Sequence, residues 1–116
     1  MTLKQGNTYK IKTIVTSEST DDEGNKIEVP IDIEKVGKVV FQLGEIRKVY
    51  PSEVEYDDDN GWFVIKIEQD DTLKLDAKFE YEIAVLYKDE ECDRSEVETA
   101  YSLGTIIDEV ITNVEN

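Results

Sequence analysis

The stretch from Lys38 to Ile67 constrains the fold more than any other part of the chain. Val39, Phe41 and Leu43 occupy every second position, Gly44 breaks the run, and Ile46 to Tyr50 resumes it. Pro51 then forces a corner, because its ring fixes φ and removes a backbone donor. Val54 and Tyr56 lead to an acidic tip, Asp57-Asp58-Asp59, followed by Asn60-Gly61 and the apolar run Trp62 to Ile67. Asn-Gly is the strongest short hairpin signal, since both residues tolerate the positive φ of a type I′ turn. The stretch predicts two short β-segments, a corner, and a hairpin closed by Asn60 and Gly61.

The same alternation recurs elsewhere. Tyr9, Ile11, Thr13 and Val15 alternate with Lys10, Lys12, Ile14 and Thr16, the pattern of a half-buried strand. Ser17 to Asn25 reads as a polar loop with a turn over residues 22–25. Ile27, Val29, Ile31 and Ile33 alternate again, but Pro30 confines them to an edge strand or an extended connection. Gln69 to Leu75 fits a single helical turn. Phe79, Tyr81, Ile83, Val85 and Tyr87 put five large side chains on one face, which marks a core strand. Lys88 to Asp93 reads as a charged hairpin loop, and Ser95, Val97, Thr99 and Tyr101 as the last strand. About seven short strands with turn signals every ~8–12 residues predict an all-β, immunoglobulin-like sandwich over residues 1–101. Its expected core is Tyr9, Ile11, Phe41, Leu43, Ile46, Phe63, Ile65, Tyr81, Ile83 and Val85.

Residues 102–116 differ. Leu103, Ile106, Ile107, Val110, Ile111 and Val114 recur at spacings of three and four, a helical period. Leu103, Ile107, Val110 and Val114 make an a/d seam, shorter than the three or four heptads of a coiled coil. The tail is expected to fold back on the sandwich as a helix or strand, or to offer these four residues as a contact surface between subunits.

With 116 residues the chain is one domain. No apolar run approaches the ~20 residues of a membrane helix. The start lacks the apolar stretch of a signal peptide, so the expected location is a cytoplasm, or a virion packaged from one. Cys92 is the only cysteine; no internal disulfide is possible, and it reads as a bystander thiol. Charge is uneven: residues 1–50 hold eight basic and eight acidic side chains, residues 51–116 five and twenty. Such an acidic half repels nucleic acid and anionic membranes. It reads as a solvated face, a docking face for a basic partner, or a mimic of nucleic acid.

Little in the chain suggests chemistry. It contains no histidine, the commonest general base and metal ligand. A zinc site would have to rest almost entirely on carboxylates, and the six glycines are scattered, without a phosphate loop. Read as a calcium loop from Asp57, the tip puts Trp62 where the sharp turn needs glycine, so Asp57, Asp58 and Asp59 read as a charged tip for docking. Pairs such as Glu53 with Asp57 arise by chance among 28 carboxylates. Tyr50, Tyr56, Trp62 and Tyr87 could line a sugar or peptide groove, but aromatics in strands are more often core or cross-strand partners. No catalytic, cofactor-binding or metal-binding residue is assigned, and no enzyme is expected.

Several segments together carry a resemblance. They are Gly6-Asn-Thr-Tyr-Lys-Ile, Val39 through Pro51, Glu53-Val-Glu-Tyr-Asp, Gly61-Trp-Phe, Gln69-Asp-Asp-Thr-Leu, Phe79 through Tyr87, and Ser95-Glu-Val-Glu-Thr. In this order they resemble small phage and prophage proteins of the tail and baseplate region in viruses of Gram-positive bacteria. Those proteins are immunoglobulin-like and akin to the N-terminal module of baseplate upper proteins. Ser52 departs from the pattern, which has glycine there. The resemblance implies a non-catalytic structural or docking module, with other tail or baseplate proteins or further copies as partners. The alternatives are a phage-encoded acidic inhibitor that mimics nucleic acid and blocks a host DNA-binding protein, or a sugar-binding adhesion module.

Overall fold

The computed structural model describes residues 1–113. The chain begins with β1 (Thr2–Lys4) and β2 (Tyr9–Thr13), then forms a ribbon from β3 (Thr16–Thr20) and β4 (Lys26–Pro30). A single 3₁₀ turn, Ile33–Lys35, is capped by the Asp32 carboxylate on the Glu34 N–H. It leads into β5 (Val36–Leu43) and β6 (Ile46–Tyr50), a hairpin closed by Gly44 and Glu45. Gly44 has φ +58°, the left-handed value that suits glycine at the first turn position. After the cis Tyr50–Pro51 bond come β7 (Glu55–Asp57) and β8 (Trp62–Ile67). The turn α1 (Gln69–Leu73) follows, entered through a capping box between Glu68 and Asp71. β9 (Lys78–Tyr87), β10 (Cys92–Arg94) and β11 (Glu98–Leu103) complete the sequence of elements.

The fold is all-β and sandwich-like. The large sheet has the order β1-β11-β9-β5-β6, and the small sheet β2-β8-β7. β9 is the spine. It pairs with β5 on one edge; on the other, β11 takes its first half and β10 its second. The two-residue period drives the layers together. Val39, Phe41 and Leu43 of β5 and Phe63, Ile65 and Ile67 of β8 are buried, while Lys66 is exposed. The Phe41 and Phe63 rings meet across the layers at 5.6 Å. Phe79, Val85 and Ala100 fill the same interior. Of the expected core, Phe41, Leu43, Ile46, Phe63, Ile65 and Val85 are buried, whereas Tyr9, Ile11, Tyr81 and Ile83 are packed against it half-buried.

The structure corrects the sequence reading in several places. Eleven strands occur among the described residues, against about seven expected. Ser17 to Thr20 belong to β3, not to a loop: Ser, Thr and Glu pair across to β4 with no core face to mark them. Cys92 and Asp93 are likewise strand residues. The last strand has the opposite phase to that read from Ser95 to Tyr101. Arg94 lies opposite Ala84 and Glu98 opposite Tyr81, so four steps along one strand match three along the other. The extra residue is a bulge, and a slip of one flips every later side chain to the other face. Ala100 and Ser102 point inward, and Tyr101 is 53% exposed.

The strand directions define two ends. One carries α1, the Gly44 turn and the β1–β2 connection. Here the Thr72 hydroxyl, fully buried, accepts from the Gly6 N–H at 2.9 Å and donates to the Asn7 carbonyl at 2.9 Å. Gln5 Nε2 donates to the Leu75 carbonyl, Ser102 Oγ to the Asp76 carbonyl, and Lys48 pairs with Asp71 at 3.0 Å. The other end carries the ribbon, the 3₁₀ turn, the β7–β8 tip and the β9–β10 turn. The ribbon pairs with no other strand. The radius of gyration, 16.7 Å, exceeds the about 13 Å of a compact chain of this length.

Candidate docking surfaces

The acidic tip is more ordered than an unstructured spray of charge. Asp57 pairs with Trp62, so the loop has four residues, Asp58 to Gly61, and the Gly61 N–H donates to the Asp57 carbonyl at 2.7 Å. Gly61 has φ +71°, but Asn60 is not left-handed, so the type I′ turn expected from Asn60-Gly61 does not form. The reason lies in Asp57. Its carboxylate accepts from the backbone N–H of Asp59 and of Asn60 and from Asn60 Nδ2, at 3.1, 3.2 and 2.8 Å. Such Asx geometry opens the tight turn into a wider one. The Asn60 side-chain bond, helped by the two backbone bonds and by Lys12, holds the Asp57 pKa below its usual value.

Strand order brings this tip to the same end as three other acidic connections. Residues 21–25, 31–35, 58–61 and 88–91 together hold ten carboxylates and two lysines, Lys35 and Lys88. Asp21 organises the ribbon turn as Asp57 does the tip, accepting from the N–H groups of Glu23 and Asn25. Between the root of the ribbon and the β9–β10 turn lies an open cleft of about 570 Å³, with Glu18, Asp32, Glu34, Asp89, Glu91 and Asp93 on its walls. Tyr87 sits in it, and burial, then the Asp93 carboxylate, raise its phenol above the usual pKa. The division of charge along the chain is thus not the division in space. Asp21 to Glu23, Asp32 and Glu34 come from the neutral first half, and nothing local in the sequence unites them with Asp57 to Asp59.

The aromatic residues do not share one groove. Tyr50 and Tyr56 pack on Phe63, with centroids at 5.2 and 4.9 Å, as part of the core margin. Trp62 lies on the outer face of the small sheet, with Lys12 Nζ 5.1 Å from its ring centroid and its indole N–H buried without an acceptor among the described residues. Tyr81 donates its hydroxyl to Glu98, which raises its pKa, with burial adding. Glu53 lies in the exposed turn after Pro51. Cys92 is exposed. Among the described residues no three His, Cys, Asp or Glu side chains converge as metal ligands, and no helix is long and apolar enough to cross a membrane.

The tail makes no helix through residue 113. Leu103 ends β11, two residues past the expected domain boundary, so it cannot share a helical seam with Ile107 and Val110. Val114 lies outside the described residues. Two features oppose the helix. Isoleucine and valine have only moderate helix propensity. The Gln69 amide also clamps Ile111, its Nε2 donating to the Ile111 carbonyl at 2.7 Å and its Oε1 accepting from the Ile111 N–H at 2.8 Å. The tail therefore returns to α1, leaving Ile107, Val110 and Ile111 about half exposed and Ile106 fully so.

No protein-family profile, curated protein or solved structure matches this chain.

Proposed function

We propose that the chain is a non-catalytic docking module of a phage tail or baseplate, built on an immunoglobulin-like sandwich and engaging a basic partner through its acidic end. The observation that carries the docking is the convergence of four acidic connections on one end. A surface of that kind steers a basic partner and sets its orientation. Strand order supports the immunoglobulin-like reading. β2-β8-β7 follows the order B-E-D, and β11-β9-β5-β6 follows G-F-C with C′ added. On that mapping the ribbon is the B–C connection and the β9–β10 turn begins the F–G connection. Those two loops bind antigen in variable domains, a fold-level analogy only. The placement in a phage tail rests on the resemblance of the sequence segments.

The same acidic end also favours the nucleic-acid mimic as a second reading. One experiment separates them. Antibody against the chain is applied to purified particles of the phage or prophage that encodes it, and the chain is added to complexes of duplex DNA with a basic DNA-binding protein of the host. Labelled tails with undisturbed DNA complexes support the module. Unlabelled particles with DNA displaced overturn it in favour of the inhibitor.

A further inference from the structure

Of the five asparagines in the chain, Asn60 alone precedes a glycine. That pair carries a reaction of its own, because the backbone nitrogen after an asparagine can attack the asparagine's side-chain carbonyl carbon. A side chain on the following residue hinders the approach, and glycine has none. Little crowds Gly61: a Cβ built on it would meet only the Tyr56 hydroxyl, at 3.9 Å. Asn60 is exposed, so water and hydroxide reach it. Asp57 opposes the reaction from two sides. Its carboxylate accepts from Asn60 Nδ2 at 2.8 Å and draws the amide back toward residue 57. The same carboxylate accepts from the N–H groups of Asp59 and Asn60, fixing the backbone around the amide. The Asp57 carbonyl accepts from the Gly61 N–H at 2.7 Å. The attacking nitrogen must first lose that proton, and a hydrogen-bonded N–H is shielded from base until the bond opens.

We propose that Asn60 is a site of spontaneous deamidation, with Asp57 as the catch that sets its rate in the folded chain. When the loop opens, base removes the Gly61 amide proton and the nitrogen attacks Cγ of Asn60. The new C–N bond closes a five-membered succinimide ring. The bond from Cγ to Nδ2 breaks, and that nitrogen leaves as ammonia. Water then adds to one ring carbonyl to give aspartate, or to the other to give isoaspartate. The sum is an amide and water giving an acid and ammonia, so water is the one co-reactant. The product is ionised at neutral pH, which makes the net charge of −15 one unit more negative and sets a fourth carboxylate after Asp57, Asp58 and Asp59. An ionised carboxylate only accepts hydrogen bonds. Where Asn60 Nδ2 donated to Asp57, the new oxygen repels it, so the reaction undoes the bond that had restrained it.

Peptide mapping by mass spectrometry, with isoaspartate scored separately, follows the reaction during incubation of the full chain in mildly alkaline buffer. Asn60 should convert before any other asparagine. It should convert at least about fivefold faster in the guanidinium-unfolded chain than in the folded one. Asp57→Ala removes the three bonds to the carboxylate and should raise the folded rate at least about fivefold. Asp57→Glu keeps the charge but is one methylene too long for the same turn, and should accelerate the reaction as well. Asp58→Ala removes an equal charge from a side chain that makes none of these bonds, and should stay within about twofold. Asn7 and Asn25, read in the same digests, should stay at their wild-type rates, since only global unfolding would free them. Should Asp57→Ala unfold, the wild-type ratio and Asp57→Glu still decide the matter. A folded wild type that converts at the unfolded rate overturns the proposal. So does an Asp57→Glu chain no faster than wild type, an Asp58→Ala chain as fast as either Asp57 variant, or conversion of Asn7 or Asn25 ahead of Asn60.

Discussion

The two ends of the sandwich are built on different principles. At the α1 end, buried and half-buried side chains stitch distant segments together: Thr72 joins α1 to the β1–β2 connection, Ser102 joins β11 to Asp76, and Lys48 joins β6 to α1. At the acidic end the loops are organised mainly within themselves, although the Lys88 N–H donates across to the Lys35 carbonyl at 2.9 Å. Asp21, Asp32 and Asp57 each accept from backbone N–H groups two to four residues further on, within their own loops. Long-range stitching holds one end closed to water. Local turns at the other keep its carboxylates at the surface.

Substitutions can break that contrast, beginning with the core both ends share. Phe63→Ala should cost about 3–5 kcal/mol in chemical denaturation, because Phe63 touches Phe41, Tyr50 and Tyr56 and leaves a cavity between the layers. Hydrogen exchange should then show both ends loosening together; loosening of one alone would divide the sandwich into separate units. Thr72→Val should cost about 1–3 kcal/mol, since it strands the buried Gly6 N–H. A near-neutral result would show that the stitching is dispensable. Gly61→Ala places a side chain at φ +71° and should cost about 1–2 kcal/mol, although the space near Tyr56 is adequate.

The acidic end should respond in binding more than in stability. Replacing residues 18–28 by a short turn should change stability by no more than about 0.5 kcal/mol, because the ribbon's strands pair only with each other and the bond between Ser17 and Tyr87 is kept. It should weaken oligolysine binding; an unfolded product would show that the ribbon is structural. The smallest effect concerns acid. The Asp57 pKa is lower in the folded chain than in the unfolded one, so its contribution is full above the unfolded value. That contribution is lost as pH falls through the folded value. Asp57→Asn should flatten the acid limb of the stability curve slightly, and an unchanged limb would show that the Asn60 bond does not persist in solution.

Legibility in the sequence followed the same divide. β2, β5, β8 and β9 alternate because one face of each is buried or half-buried, and that alternation is visible along the chain. β1 has three residues, too few for a period, and β3 has no buried face to mark it. The phase of β11 was hidden by its bulge, which depends on pairing with β9 and not on the residues alone. Gly44 read as a break and proved to be a hairpin turn, while Asn60-Gly61 read as the tight turn and was overruled by Asp57. The tip was legible as a charged loop. The acidic end was not, because it is assembled from four connections that only strand order brings together.

The clamp of Gln69 on Ile111 also gives the molecule a handle. Ile111 is held beside α1, at the end away from the acidic loops. Anything joined to the chain after this point would be carried behind the acidic end. A sensor surface loaded through a C-terminal tag would therefore present the ribbon and the β9–β10 turn outward, whereas a tag spliced into the ribbon would bury them against the support.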